Sequence, residues 1–203
     1  MITNDLNKFP EKYNPKDLQI LSFTKKQNFE EWLEQNYTLE EGIWLRFYKK
    51  NSGIKTIIYT EALDIALCYG WIDGQVKKYD ENSYIQKFTH RRAKSMWSKR
   101  NKERVEYLEK ECKLKPSGII EIEKAKADGR WERAYDSPSY MIMPEDFMRE
   151  LSKNKKAFDF FESLNKTNKY TIGWRLQTAK NLDARVKLMG KILLMMENQK
   201  KFH

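Results

Sequence analysis

The residues with the densest potential for chemistry lie between positions 87 and 104. That stretch holds eight Lys and Arg against Glu103 alone, a net of +7 out of the chain's +10. Arg91 and Arg92 offer forked donors suited to phosphate or carboxylate. Ser98 precedes a helical pattern, and the free N–H groups of a helix start favour an anion. Lys99, Arg100, Lys102 and Arg104 follow in that helix, where cations in the first turn oppose the macrodipole and an anion would relieve them. A second block, Trp71-Ile72-Asp73-Gly74, places one carboxylate beside an indole. Asp73 is the only acid–base candidate near the basic stretch, its pKa rising if Trp71 buries it. Together Trp71, Asp73, Arg91, Arg92, Ser95, Trp97, Ser98 and Asn101 form the candidate ligand-binding set. One acid, two arginines, hydroxyls, an amide and two indoles suit an anionic small molecule with an apolar body.

Other chemistries are poorly provided for. The two histidines are His90 and His203, and the two cysteines, Cys68 and Cys112, are far apart. A zinc site or a serine hydrolase triad would rest on His90 alone, with no nucleophile elbow nearby. The glycines are scattered singly, so no phosphate-cradling loop is evident. No cofactor and no metal are expected. Both cysteines sit at helical spacing with apolar residues and read as buried small hydrophobes.

The elements that must position these residues follow from periodicity. At 203 residues, with 40% apolar and 33% charged side chains, the chain suits a filled core under a solvated surface. No apolar run reaches the roughly 18 residues of a membrane span and the first residues lack a signal-peptide layout, so a soluble, cytoplasmic protein is expected. Leu18–Ser22 reads as a short strand after a polar arm. Thr24 with Gln27 suggests a capping box for a helix carrying Phe29, Trp32, Leu33 and Tyr37. Ile43–Tyr48 reads as a buried strand, and Thr60 as the cap of an interior helix closed by Gly70. A hairpin is expected over Trp71–Val76 and Ser83–Thr89, with Asp73-Gly74 as an alternative turn. Helices are expected from Ser98 to about Cys112 and from Pro116 to Ala127, and three more beyond Glu145, capped at Asn154, Asn168 and Asp183. The expected class is α+β: a small β-sheet packed against helices with an all-helical C-terminal extension. The expected organisation is an arm with a short strand over 1–24, an α+β domain with the basic pocket over 25–137, and a helical region over 144–203.

Several blocks are familiar. Gly42-Ile-Trp-Leu-Arg-Phe-Tyr-Lys-Lys50, Cys68-Tyr-Gly-Trp-Ile-Asp-Gly74, Phe88 to Asn101, Ala125-Lys-Ala-Asp-Gly-Arg-Trp131 and Pro144-Glu-Asp-Phe147 resemble the YdeI/OmpD-associated, or bacteriocin-protection, family. Phe160 through Arg185 is similar to its helical tail, so the resemblance spans about residues 25–200. His90 departs from the family's usual Pro, and Glu111-Cys-Lys-Leu114 from its usual Gly and Met. The resemblance implies an intracellular bacterial protein linked by name to protection against bacteriocins or envelope stress. It supplies no reaction, but places the eight candidate residues in the family's signature blocks.

Three functions stay open on this reading. The first is binding of an anionic small molecule between the Asp73 segment and the 90–101 loop, with or without catalysis. The second is nucleic-acid binding, from the net charge and a basic cluster interleaved with Phe88 and Trp97. The third is a stress-related protein-interaction module, from the Phe- and Met-rich tail (Met189, Met195, Met196).

Overall fold

The computed structural model describes residues 18–202. Among them are four strands and eight α-helices: β1 (Ile20–Leu21), α1 (Lys26–Asn36), β2 (Ile43–Tyr48), α2 (Tyr59–Cys68), β3 (Trp71–Lys78), β4 (Ser83–His90), α3 (Lys99–Lys110), α4 (Pro116–Ala127), α5 (Glu145–Ser152), α6 (Lys155–Ser163), α7 (Lys166–Gln177) and α8 (Leu182–Glu197). This is the α+β class expected, with a helical C-terminal region. The arm expected over 1–24 lies outside the described residues as far as position 17, and β1 is the short strand expected after it. The strands form one sheet ordered β1-β2-β4-β3, with β1 parallel to β2 and the other pairs antiparallel. The chain divides into two units: residues up to Ser95 with Arg104–Lys124, and Met96–Glu103 with the chain from Ala125 on.

In the first unit the alternation along β2 decides which face is covered. Ile43, Leu45 and Phe47 are buried while Trp44, Arg46 and Tyr48 are half-buried. Phe29 of α1 meets Phe88 of β4 edge-on at 6.2 Å, and Trp32 meets Trp71 at 6.0 Å with perpendicular rings. Alanines and leucines of α2 (Ala62, Leu63, Ala66, Leu67) complete that core. Full burial of each large apolar side chain is worth about 1.5–3 kcal/mol against exposure. Entry into β2 requires Gly42: its φ is +76°, and a Cβ there would lie 2.1 Å from Phe88 O. Asp73-Gly74 makes no turn; both stay within β3, where the register shifts between Asp73 and Val76.

Several helix ends differ from expectation for local reasons. Helix α1 starts after Lys25, which is extended and makes no side-chain cap, so Thr24 and Gln27 form no capping box. Helix α2 begins at Tyr59 with Ile58 as its cap position, so Thr60 lies inside the first turn, and the Ile58 N–H donates to Glu61 Oε2 at 3.1 Å. Helix α3 ends at Lys110, and Cys112 lies beyond it, exposed, at φ 54°. There it forms the left-handed stop, with Lys113 N–H donating to Leu108 O at 3.0 Å. Cys112 is therefore not the buried residue its spacing suggests.

The second unit contains four helices after residue 144, one more than expected, because Glu145–Ser152 closes as a helix of its own. Phe147, Leu151, Phe161, Ile172, Leu176, Ile192 and Met196 form its core, Phe147 and Phe161 meeting edge-on at 5.7 Å. The caps are three asparagines: Asn154 Oδ1 accepts from Ala157 N, Asn165 from Asn168 N and Asn181 from Ala184 N, at 2.8–3.1 Å. Asn168 and Asp183 thus fall inside first turns, and the capping belongs to Asn165 and Asn181.

Candidate functional site

The first unit holds five of the eight sequence-nominated residues. Gly70 ends α2 at φ +78°, Trp71 pairs with His90 across the hairpin, and Arg91 N–H donates to Gly70 O at 3.0 Å. The Trp71–Gly74 segment and the arginine pair therefore lie at one end of the hairpin. Trp71 is fully buried, its indole N–H donating to Tyr37 O at 2.7 Å. Asp73 Oδ2 accepts from Tyr59 Oη and Gln86 Nε2, both at 2.9 Å, which ties the start of α2 to the sheet. Arg91 is buried at 3% exposure, while Arg92 is exposed and its N–H donates to Ser95 Oγ at 3.1 Å.

Trp97, Ser98 and Asn101 belong to the second unit. Trp97 is buried and packs against Trp131 at 4.9 Å, and Asn101 is buried as well. Ser98 caps α3 as expected, its Oγ accepting Asn101 N–H at 3.1 Å. The basic stretch is dispersed by pairing. Arg104 Nε donates to Asp64 Oδ1 at 2.7 Å, Lys102 sits 5.0 Å from the Trp131 ring centre, and Lys99 meets Asp136 Oδ1 at 2.8 Å.

Lys99 leads into a cleft that no sequence motif announced. Ser98 bridges Tyr135, and Lys99 N–H donates to Tyr135 O at 2.8 Å, which holds Asp136 beside the helix start. Gln177 of α7 clamps Asp136 from both ends: its Nε2 donates to Asp136 Oδ2 at 2.6 Å and its Oε1 accepts Asp136 N–H at 3.0 Å. Next to this network opens a cavity of about 680 Å³, with Arg133, Glu145, Lys180 and Arg185 as its other charged lining and Ile142, Met143, Leu176 and Leu182 as its apolar wall. Arg185 is committed to Asp146, NH2 donating to Oδ1 at 2.8 Å, and that hydrogen bonding holds the Asp146 carboxyl below its usual range while raising Arg185. Lys180 has no ion pair among the described residues. Arg133 donates from NH2 to Asp128 O at 3.3 Å, and its Nε is buried with no hydrogen-bond partner among them. Ile142 and Leu182 are 76% and 71% exposed. The signal that could have pointed here is Ala134-Tyr-Asp-Ser-Pro138, whose turn chemistry and aromatic anchor fix Asp136.

Residues 141–199 match the family described as Bacteriocin-protection, YdeI or OmpD-Associated. The likeness to this family is confined to that segment, which supplies Ile142–Glu145 and everything from Leu176 to Arg185 in the cleft wall. Residues 21–121 match a separate model, a domain of unknown function (DUF8412), and the blocks from Gly42 to Asn101 fall within it. No curated protein and no solved structure matches the chain. Among the described residues no helix is long and apolar enough to cross a membrane, and no group of three or more His, Cys, Asp or Glu is placed to hold a metal ion.

Proposed function

We propose that the chain binds an anionic small molecule with an apolar body, and that the cleft of the second unit receives it. The observation that carries this reading is one cavity of about 680 Å³ on which Lys180, with no ion pair among the described residues, and Arg133, whose Nε has no hydrogen-bond partner among them, stand beside an apolar wall. That volume lies within the range of small-molecule sites. A carboxylate or phosphate between Arg133 and Lys180 would gain charge-assisted hydrogen bonds worth about 1.5–3 kcal/mol each. Leu176, Met143 and Leu182 would take the apolar part, and Glu145 would disfavour ligands of high negative charge. The protection against bacteriocins in the family's description comes to this chain as part of the same proposal, since the matched segment builds most of the cleft.

Thermal-shift titration with nucleotides and C4–C8 organic acids tests it. At about 100 times Kd a ligand adds about 2.7 kcal/mol, which for a chain of this size raises Tm by about 5–11 °C. Lys180→Glu should remove the shift. No stabilising compound at millimolar concentration overturns the proposal. A shift that survives Lys180→Glu but disappears in Arg92→Ala overturns the cleft assignment and returns the site to the hairpin end beside Asp73.

A further inference from the structure

We propose that the outer face of the sheet in the first unit is a platform for single-stranded nucleic acid. The alternation of β2 that buries Ile43, Leu45 and Phe47 turns Trp44, Arg46 and Tyr48 to the opposite face, at steps of about 6.8 Å. Pairing sets Lys87 directly opposite Trp44 and Ile85 opposite Arg46, and β3 adds Lys77 beside Ile85. This face therefore interleaves flat rings with cations.

The charges on it are unequally committed. The Arg46 guanidinium lies 4.4 Å from the ring centres of both Tyr48 and Tyr79, and it binds Asp80 at 2.7 Å and Ser83 Oγ at 3.0 Å. Its charge is matched by Asp80, so its part is to hold two tyrosine rings in place. Lys77 and Lys87 have no ion pair among the described residues. Lys77 Nζ rests 4.7 Å from the Trp44 ring centre. An exposed contact of that kind contributes a factor of only about two to five, so the ammonium can leave the ring for a phosphate.

A chain of flat bases joined by regularly spaced negative charges complements this surface. Bases stack on Trp44 and the tyrosines without regard to sequence, and phosphates meet Lys77 and Lys87. A duplex hides its base faces, and an acidic polypeptide lacks flat groups for the rings. The rings singled out from sequence for this role, Phe88 and Trp97, are buried and offer no stacking face. The proposal uses no residue of the cleft and stands apart from it.

Fluorescence anisotropy of a labelled oligo-dT of about ten nucleotides, with the full chain at about 50 mM salt, tests this directly. We expect binding whose log K falls against log salt with a slope of about −1.4, two phosphates being engaged. Trp44→Ala should weaken it about tenfold and Trp44→Phe should restore most of the loss. Lys87→Glu should flatten the slope, and Lys180→Glu in the cleft should change nothing. The proposal is overturned by the absence of binding, by a Trp44→Ala affinity equal to wild type, or by equal competition from polyglutamate or a duplex of the same length. Should Trp44→Ala fail to fold, the Lys87→Glu salt slope decides in the same way.

Discussion

Gly118→Ala should loosen the first unit, although a glycine inside a helix is ordinarily improved by alanine. Gly118 lies in the first turn of α4, where that helix meets the end of α2. Cys68 O accepts Lys115 N–H at 3.1 Å, and a Cβ on Gly118 would stand 2.1 Å from the same oxygen, 2.8 Å from Cys68 C and 3.1 Å from Leu67 O. The obstacle is backbone, so no side chain can rotate away. Restoring an ordinary C···O contact of about 3.3 Å means moving two helices apart by about 1.2 Å. Overpacking of this size costs about 1–3 kcal/mol. The propensity gain of Ala over Gly offsets at most about 1 kcal/mol. With the clash on backbone at 2.1 Å the upper end of that cost applies, and a net loss of about 2 kcal/mol lowers Tm by about 4–8 °C. Gly190 is the internal control: it is exposed in α8 and a Cβ there meets nothing within 4 Å. Gly190→Ala should gain the full propensity term and raise Tm by about 2–4 °C. Thermal unfolding followed by near-UV circular dichroism separates the two variants. A Gly118→Ala protein as stable as wild type, with Gly190→Ala stabilised as stated, would refute the helix contact.

Three further expectations follow from local chemistry. Burial, then Asp64 and Glu30, push the Cys68 thiol up to about 12, whereas Cys112 is exposed; a thiol reagent should titrate one cysteine in the native protein and two in denaturant, and two fast native thiols would contradict the burial. Cys112 holds a left-handed backbone at φ 54°, so Cys112→Gly should raise stability by about 1 kcal/mol in urea unfolding, and a loss would show that its side chain packs. Hydrogen bonding from Arg185 lowers the Asp146 pKa, so its contribution is complete above the ordinary carboxylate value of about 3.9 and is lost as pH falls through the folded value. The Tm gap between wild type and Asp146→Asn should therefore narrow between pH 7 and pH 3, and a constant gap would rule out that linkage.

How much was legible in advance varied with the range of the interaction. Ile43–Tyr48 reads as a strand and is one, since alternating burial is set by neighbours two residues apart. Ser98 reads as a helix cap and is one, since the bond closes within four residues. The end of α3 was misread by two residues because Cys112 continues the apolar spacing of Val105 and Leu108, while the stop depends on its backbone conformation. Asn165 and Asn181 displaced Asn168 and Asp183 as caps because adjacent polar residues compete for the same role.

The candidate site was legible as composition and not as surface. Arg104 is neutralised by Asp64, forty residues earlier, and Lys99 by Asp136, thirty-seven residues later. Trp71 and Trp97 turned inward to meet Trp32 and Trp131, so neither of these two rings is open. By itself the sequence determined the α+β class, the place of most elements though not their ends, and the excess of positive charge, because backbone preference and periodicity act over a few residues. Tertiary structure alone decided which of those charges keep a partner and which face water or a cleft. That outcome depends on packing between segments dozens of residues apart, where desolvation and pairing, not residue type, set what a side chain can do.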